Sequence, residues 1–250
     1  MKKKCTAILL AAGAGRRMES NVAKQYMLLR DKPVIWYGLQ AFACSPIIDD
    51  IVLVVGKGEI PYAEKELVEK YGFCKVRRIV EGGTERYLSV QNALDLLRED
   101  AAFAENGEGY VFIHDGARPL VTQKIIEDTF LAVQEWDACC AAVSVKDTIK
   151  LADKEGFAVQ TLKRSSLFAV QTPQVFAAPL ILEAYARLRG QEATMTENVI
   201  VPTDDAMLVE QLMNKKVKLV ETTYENLKIT TPEDLELADR ILQKRNRIIL

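Results

Sequence analysis

The sequence predicts an α/β protein in which a mostly parallel, twisted sheet is flanked by helices. Apolar runs of strand length alternate along the chain with segments of helical period, which is typical of such a sheet. The chain has 250 residues, 49% of them hydrophobic, so it can bury a sizeable core. The sequence contains no internal repeat, low-complexity segment or Pro/Gly-rich linker. We therefore expect a single domain over residues 1–250.

Six apolar runs are predicted as strands and seven periodic segments as helices. The strands cover residues 6–11, 50–55, 75–80, 110–114, 138–145 and 217–220. The helices cover residues 33–43, 59–71, 84–98, 122–135, 179–188, 204–214 and 232–243. The last helix has the clearest start, because Thr231 is a favourable N-cap, Pro232 suits the first helical position, and two acids follow where the helix dipole favours them.

The segment from Lys146 to about Phe176 breaks this alternation. It lacks a helical period and is predicted to form short extended pieces around a turn near residues 153–156. It is either a surface excursion from the sheet or a projecting β-arm, at about 146–176, that meets a partner subunit.

The formal net charge of −2 argues against a general binder of nucleic acid or membrane surfaces, which needs a basic excess. The charge is nevertheless uneven. Residues 1–30 hold seven basic side chains and one acid, a net of +6, so residues 31–250 carry −8.

The five cysteines are odd in number and two of them are adjacent, so neither a disulfide framework nor a C-x-x-C metal pattern fits. We interpret them as free thiols in a reducing compartment. The basic start followed by an apolar run resembles a signal peptide, but the run ends at Gly13 before two arginines and suits a buried strand equally well. No stretch approaches the roughly 20 apolar residues of a membrane span. We expect a cytoplasmic protein.

A glycine-rich turn, residues 11–18, follows the first strand at the sheet edge where open α/β proteins bind ligands. It is not a dinucleotide fingerprint, because Met18 replaces the third glycine, and it lacks the Lys-Ser/Thr pair of a Walker A loop. Backbone amides with Arg16, Arg17 and Lys24 close by suit a polyphosphate. The alternative is a tight turn with solvated charges.

A second glycine turn, residues 81–86, follows the third strand. Thr84 is predicted to cap the next helix, and Ser89 lies one turn further in, near an anion or a polar base edge. The fourth strand ends in His114 and Asp115; the acid is a candidate for holding Mg²⁺ or a substrate hydroxyl, and Arg118 is expected to face a phosphate. We interpret His114, the single histidine, as structural, which argues against covalent hydrolase chemistry.

Other polar residues suggest a second anion site beside the predicted arm. They are Thr148 and Lys150 near the base of the arm, Arg164 and Thr172 around its return, and Lys228 before the last helix. Taken singly, each is more often a solvated surface residue.

These segments together closely resemble the 2-C-methyl-D-erythritol 4-phosphate cytidylyltransferase family. The match runs nearly end to end through AAGAGRRM, AKQY, EGGTER, HDGARP, VKDTIK, QTPQVF, TDDA and ENLKITTPEDL, in the family's order. The resemblance implies a Rossmann-like nucleotidyltransferase fold and a homodimer joined through the arm. It also implies Mg²⁺-assisted transfer of CMP from CTP to methylerythritol phosphate, with release of pyrophosphate.

The resemblance also assigns roles to individual residues. Arg17 and Lys24 match the basic pair that stabilises the transition state at the α-phosphate, while Arg164 and Lys228 match residues that position the acceptor, Arg164 from either subunit. The nucleotide side comprises the loop residues Ala11, Ala12, Gly13 and Gly15, and the cytosine and ribose contacts Gly83, Thr84 and Ser89. Asp115, Arg118, Thr148 and Thr172 fall at substrate-side positions, with Asp115 also a metal candidate.

Two positions depart from the family's pattern. Ala23 stands where proline is usual, so we expect this loop to be less preorganised. Gly116 stands where alanine is commoner, a difference that we expect to matter little. The runner-up activity is that of a ribitol 5-phosphate cytidylyltransferase, which shares most of these motifs. A non-catalytic nucleotide sensor and a dinucleotide-dependent oxidoreductase are alternatives from other classes.

Overall fold

The computed structural model describes residues 3–13, 23–99, 108–193 and 201–248. Its strands are β1 (Lys4–Ala11), β2 (Leu28–Leu29), β3 (Lys32–Pro33), β4 (Asp50–Val55), β5 (Val76–Glu81), β6 (Gly109–Asp115), β7 (Ala138–Ser144), β8 (Lys150–Ala152), β9 (Ala158–Thr161), β10 (Phe168–Ala177) and β11 (Lys218–Glu221). Seven of them form one sheet in the order β11-β7-β10-β6-β1-β4-β5. Every pairing in it is parallel except the two made by β10.

The helices are α1 (Val34–Cys44), α2 (Ile60–Tyr62, continued by a π-helical stretch Ala63–Glu69), α3 (Arg86–Arg98), α4 (Gln123–Trp136), α5 (Ala178–Ala193), α6 (Asp205–Met213) and α7 (Pro232–Ile248). Single 3₁₀ turns occur at Lys24–Tyr26 and Arg164–Ser166. Helices α1, α2 and α4 pack on one face of the sheet, in a core that includes Phe42 and Phe112. Helices α3, α5 and α6 cover the other face, around Tyr185 and Phe176. The predicted mostly parallel sheet flanked by helices is therefore confirmed.

The central strands are apolar because both of their faces are covered. All seven residues of β6 are buried, and β1 is buried over most of its length. Continuous apolar runs of this kind are typical of parallel strands between two helical layers. In the register of the sheet, Leu10 of β1 lies between Val54 of β4 and Asp115 of β6. The carboxyl ends of these three strands therefore meet at one edge.

The start of α7 agrees with the sequence prediction. The carboxylate of Asp234 accepts hydrogen bonds from the backbone N–H groups of Thr230 and Thr231, at 2.8 and 2.9 Å. A carboxylate that reaches back in this way satisfies donors that the helix itself leaves unpaired.

Strand β10 is the main difference from the predicted elements. Residues 168–176, which the prediction gave to the arm, belong to β10 in the central sheet. This strand pairs antiparallel with β7 and, from Gln174 onward, also with β6. The projecting part is shorter, and consists of the β8–β9 hairpin with a turn at Gly156. All residues of both hairpin strands are exposed.

Among the described residues, we find no helix with the length and apolar character needed to cross a membrane.

Candidate active site

A cleft of about 530 Å³ opens at the carboxyl edge of β1, β4, β5 and β6. Its described lining comes from the two predicted glycine turns, the end of β6 and the segment before α7. The lining residues are Leu10, Ala12, Gly13, Lys24, Gln25, Gly56, Lys57, Gly82, Gly83, Thr84, Glu85, Arg86, Ser89, Asp115, Ala117 and Lys228. Eight of the residues predicted from sequence are thus brought together.

Gly13 is the last described residue of the first glycine turn, and it is exposed and lines the cleft. A Cβ atom placed on Gly13 would meet nothing within 4 Å among the described residues, so its backbone is accessible to a ligand. Ala11, the last residue of β1, is buried, and its carbonyl accepts a hydrogen bond from the Gln25 side chain. Gly15 and Arg17, two further predicted contacts, lie outside the described residues.

The second glycine turn is tightly packed. A Cβ on Gly82 would lie 2.4 Å from Cβ of Ala12 and 2.6 Å from Oγ of Ser89, and a Cβ on Gly83 would lie 2.4 Å from Cβ of Leu88. Glycine is required at both positions because two elements approach closely there.

The Ser89 hydroxyl ties this turn to α3. It accepts a hydrogen bond from the backbone N–H of Gly83 at 3.1 Å and donates one to the carbonyl of Glu85 at 3.2 Å. The predicted N-cap role of Thr84 is wrong, because α3 begins at Arg86 and its N-cap residue is Glu85, without a side-chain cap. Thr84 is exposed and lines the cleft.

Asp115 lies at the end of β6 among three cations. Its carboxylate is 2.7 Å from Nζ of Lys228, 3.2 Å from Nε of Arg86 and 4.0 Å from Nε of Arg118. Burial alone would raise the pKa of Asp115, but the charges of Arg86 and Lys228 outweigh it and lower that pKa well below the usual value. Asp115 is therefore an anion that holds Lys228 at the cleft wall.

Arg86 is a site residue that the sequence interpretation missed. Besides Asp115, its guanidinium contacts the fully buried carboxylate of Asp205 at 2.8 Å, and the Tyr185 hydroxyl donates to that carboxylate at 2.6 Å. Burial opposes the charge on Arg86, but Asp205 and Asp115 raise its pKa overall. A signal was present in the sequence: a cation in the first turn of a helix opposes the helix dipole, so an acid nearby in the fold would compensate it.

His114 is a structural residue, as predicted. It is fully buried, its Nε2 lies 3.1 Å from the Arg118 carbonyl and its Nδ1 lies 3.0 Å from Oγ1 of Thr172. Since the carbonyl can only accept, Nε2 carries the proton, and the Thr172 hydroxyl donates to Nδ1 while accepting from the N–H of Asp115. Burial lowers the pKa of His114 to about 4, so the ring is neutral at pH 7.

Four predicted site residues lie elsewhere. Arg118 and Thr172 are buried beside Asp115 and do not line the cleft; Arg118 donates to the carbonyl of Asn226 at 2.9 Å rather than facing open space. Thr148 and Arg164 are exposed near the arm, where Arg164 donates to the carbonyl of Lys146 at 3.1 Å. Within one chain, the arm residues and the cleft residues are separate groups.

The described side chains do not form a metal cage. No group of three or more His, Cys, Asp or Glu residues is placed to hold an ion in the described ranges. Asp115, the predicted ligand, already has its two carboxylate oxygens paired with Lys228 and Arg86. A divalent cation on Asp115 would have to displace one of them, so the donor set does not fit a metal there.

Gly116 matters more than expected from sequence. A Cβ at this position would lie 2.7 Å from the Leu10 carbonyl oxygen and 2.4 Å from Cδ1 of Ile35. Alanine would require the end of β1 to shift, so glycine at 116 belongs to the close packing beneath the cleft.

The cleft favours an anionic ligand. The basic side chains in its described lining are Lys24, Lys57, Arg86 and Lys228, against the acids Glu85 and Asp115. Accessible backbone at Gly13 adds uncharged donors, a combination that suits phosphate groups.

Comparisons with known proteins agree with this geometry. The family model for 2-C-methyl-D-erythritol 4-phosphate cytidylyltransferase matches residues 5–244. Proteins of that name from Lachnoclostridium phytofermentans and Lachnospira eligens are 44% and 48% identical, over 99% and 95% of this chain and 100% and 99% of their own lengths. A crystal structure of 4-diphosphocytidyl-2C-methyl-D-erythritol synthase from Anaerococcus prevotii is similar with a TM-score of 0.77 and 31% identity, covering 97% of each chain.

Proposed function

Because the chain belongs to the 2-C-methyl-D-erythritol 4-phosphate cytidylyltransferase family, we propose that it transfers CMP from CTP to 2-C-methyl-D-erythritol 4-phosphate. Pyrophosphate is released and 4-diphosphocytidyl-2-C-methyl-D-erythritol is formed, a step in isoprenoid precursor biosynthesis. The observation that carries the proposal is the cleft itself, where two glycine turns meet Lys24, Arg86 and Lys228. It offers cations and backbone donors for two phosphorylated substrates at once.

The reaction needs no protein nucleophile. An oxygen of the acceptor phosphate, already anionic near neutral pH, attacks the α-phosphorus of CTP in line. The bond from that phosphorus to the bridging oxygen of the β-phosphate breaks, and pyrophosphate leaves with the electron pair. His114, buried and neutral, takes no part as a base. Catalysis therefore consists of positioning and charge stabilisation.

The glycine turns form the nucleotide side of the proposed site. Ala11, Ala12, Gly13 and Gly15 hold the triphosphate, and Gly83, Thr84 and Ser89 contact the cytosine and ribose. Lys24, together with Arg17, neutralises the α-phosphate as its charge rises in the transition state. The open backbone at Gly13 and the location of Lys24 on the cleft wall support this assignment.

The acceptor side uses Lys228 and residues of the arm. Lys228 is held by Asp115 at 2.7 Å, which orients its ammonium group for a second phosphate. Arg118 and Thr172 support Asp115 from within the protein, rather than contacting substrate. Arg164 and Thr148 are supplied by a second copy of the chain, because in one copy they do not line the cleft.

A homodimer joined through the arm follows from that assignment. Apolar side chains stand exposed on the β8–β9 hairpin, with Phe157 72% and Val159 63% accessible. Exposed apolar groups clustered on one projecting element are typical of a protein–protein contact. The proposed partner is therefore the same surface of a second chain, and neither nucleic acid nor a membrane is required.

Mg²⁺ enters this proposal with the nucleotide. A small divalent cation often binds substrate phosphates with few protein ligands, and here Asp115 is occupied by its own cations. We also propose a cytoplasmic location, which is supported by the five free cysteines.

The decisive experiment offers CTP and Mg²⁺ with either methylerythritol phosphate or ribitol 5-phosphate and measures pyrophosphate release. Turnover with methylerythritol phosphate, and little with ribitol 5-phosphate, is expected. Faster turnover with ribitol 5-phosphate would move the assignment to the runner-up substrate. Binding of CTP without turnover on either acceptor would instead indicate a nucleotide sensor.

The dimer is tested by sedimentation of the wild type and of Phe157→Asp. The wild type is expected to sediment as a dimer and the variant to shift toward monomer, because a charge on the hairpin opposes its burial. A wild type that remains monomeric at micromolar concentration would exclude a site shared between two copies.

A further inference from the structure

The 3₁₀ turn Lys24–Tyr26 places Lys24 in the cleft wall, and few local hydrogen bonds among the described residues stabilise this turn. Its N-cap residue, Ala23, offers no side-chain cap. The turn is closed by two backbone bonds, from Tyr26 N–H to the Ala23 carbonyl at 2.8 Å and from Met27 N–H to the Lys24 carbonyl at 3.3 Å. So short a turn does not hold its shape without contacts to the rest of the protein.

One such contact joins the turn to the loop after β4. The Tyr26 hydroxyl donates to Oε2 of Glu59 at 2.7 Å, and the same oxygen accepts from the backbone N–H of Gly56 at 2.9 Å. The Tyr26 ring also packs edge-on against Tyr62, with centroids 5.1 Å apart. Lys24 is thus linked through two side chains to Gly56, which also lines the cleft.

The loop is shaped to receive Glu59. A Cβ on Gly56 would lie 2.8 Å from the Glu59 carboxylate, so any larger residue would expel it. Burial and the neighbouring Glu59 charge both raise the pKa of Tyr26, which keeps its hydroxyl protonated as a donor. The contact is therefore specific in both geometry and protonation.

We propose that Tyr26 and Glu59 are positioning residues, which fix Lys24 relative to the nucleotide by joining its turn to the Gly56 loop. Lys24 and Gly56 line the cleft, whereas Tyr26 and Glu59 are absent from its described lining. The pair therefore acts on the reaction through Lys24. This inference rests on the proposed function, since it is the nucleotide transfer that requires Lys24 to be fixed.

The first test is Tyr26→Phe, which removes one hydroxyl and keeps the ring packing. We expect kcat to fall about tenfold with KM for CTP changed less than about twofold, because a small displacement of a charge-stabilising group weakens mainly the transition state. Glu59→Ala should give a similar loss. Glu59→Gln should restore most of the rate, since an amide oxygen can accept both hydrogen bonds.

Tyr37→Phe is the matched control. Its hydroxyl also donates a 2.7 Å bond, to the carbonyl of Leu29, which does not line the cleft in the described residues. It should keep wild-type kcat. An equal loss of kcat in Tyr37→Phe and Tyr26→Phe would mean that losing any such hydroxyl slows the enzyme, and this result would overturn the proposal.

A second variant tests the same turn from its other end. The φ angle of Ala23 is −59°, close to the value that a proline ring imposes, so Ala23→Pro fits the backbone at this position and should stiffen the turn. In that background, Tyr26→Phe should cost less in kcat than the tenfold expected alone. Independent, multiplying effects of the two substitutions would count against a shared positioning role.

Hydrogen exchange followed by mass spectrometry separates failure of this inference from failure of the proposed function. Exchange of the amides of residues 24–29 should accelerate about tenfold in Tyr26→Phe and remain unchanged in Tyr37→Phe outside its own contact. Unchanged exchange over 24–29 would refute the positioning role whatever the substrate. A wild type without pyrophosphate release, but with accelerated exchange in the variant, would refute only the proposed transferase activity.

Discussion

Asp115 and Arg164 are both charged residues at predicted substrate positions, yet their environments are opposite. Asp115 is 8% exposed and has Lys228, Arg86 and Arg118 around it. Arg164 is exposed on a single 3₁₀ turn beside the arm and donates to a backbone carbonyl. The cleft is thus assembled by contacts within one chain, whereas the arm presents its groups outward. We expect substitutions in the cleft to change stability or rate directly, and those at the arm to act through the second copy.

The largest expected effect is on rate, in Lys24→Ala. We predict that kcat falls by about 10² to 10³, the range for removing one preorganised transition-state donor, with the free energy of unfolding almost unchanged. Steady-state kinetics and urea unfolding of the same protein measure both. Lys70→Ala, which removes an exposed lysine paired with Glu66, is the control and should leave kcat unchanged. Wild-type kcat in Lys24→Ala would contradict its role.

Removal of the buried acid behind Arg86 should have the largest effect on stability. Asp205→Ala is expected to lower the free energy of unfolding by about 3 kcal/mol, the low end for breaking a buried ion pair, because Arg86 keeps a second partner in Asp115. Asp95→Ala, which breaks an exposed pair with Arg189, should cost less than about 1 kcal/mol. If denaturant unfolding shows equal losses of free energy in the two variants, the buried Asp205–Arg86 pair contributes no more to stability than the exposed Asp95–Arg189 pair.

His114 allows the cleft side to be tested by pH. Its pKa is about 4 in the folded protein against 6.5 ordinarily, so between these values the unfolded chain binds a proton that the folded chain does not. Stability should therefore rise with pH over this window, by about 3 kcal/mol, and the rise should be weaker in His114→Gln. Because the chain has one histidine, its NMR ring resonance can be followed directly, and a midpoint near 6.5 would contradict the buried neutral state.

The smallest expected effect compares Lys228 with Arg164. Both Lys228→Ala and Arg164→Ala should raise KM for the sugar phosphate about tenfold, the change expected for one lost charged contact, with CTP binding spared. Lys228→Ala alone should also lower stability, by about 1 kcal/mol, because Asp115 loses a partner. A stability loss of the same size in Arg164→Ala would remove the distinction between cleft and arm.

The sequence predicted most of the fold because the parallel strands are continuous apolar runs. Strand β10 was missed for a physical reason: its middle residues Gln171, Thr172 and Gln174 are polar yet buried, and Pro173 sits among them. Their side chains are satisfied by partners distant in sequence, such as His114 and Asp204. Neither apolar alternation nor β-propensity can reveal a strand whose buried face is a hydrogen-bond network.

The sequence also predicted only part of the candidate site. Eight of the predicted residues line the cleft because their motifs follow strands that end at one edge of the sheet. Arg86 was missed because its partner Asp205 lies 119 positions away, so local sequence shows an unfavourably placed cation but not the acid that pairs with it. Arg118 was given a substrate role from its charge, while its guanidinium in fact pairs inside the protein.

The β8–β9 hairpin closes on itself before the chain rejoins the sheet, since the Leu162 N–H donates to the Ile149 carbonyl at 3.1 Å. The two ends of the hairpin are therefore neighbours, and the residues between them form no strand of the central sheet. A turn of a few residues can replace it without stretching the backbone, because Ile149 and Leu162 already lie within hydrogen-bonding distance. The shorter loop also costs less closure entropy. An insertion of a different length can also be placed between Ile149 and Leu162. The surface of the hairpin can therefore be redesigned while Thr172 and the bottom of the cleft keep their positions.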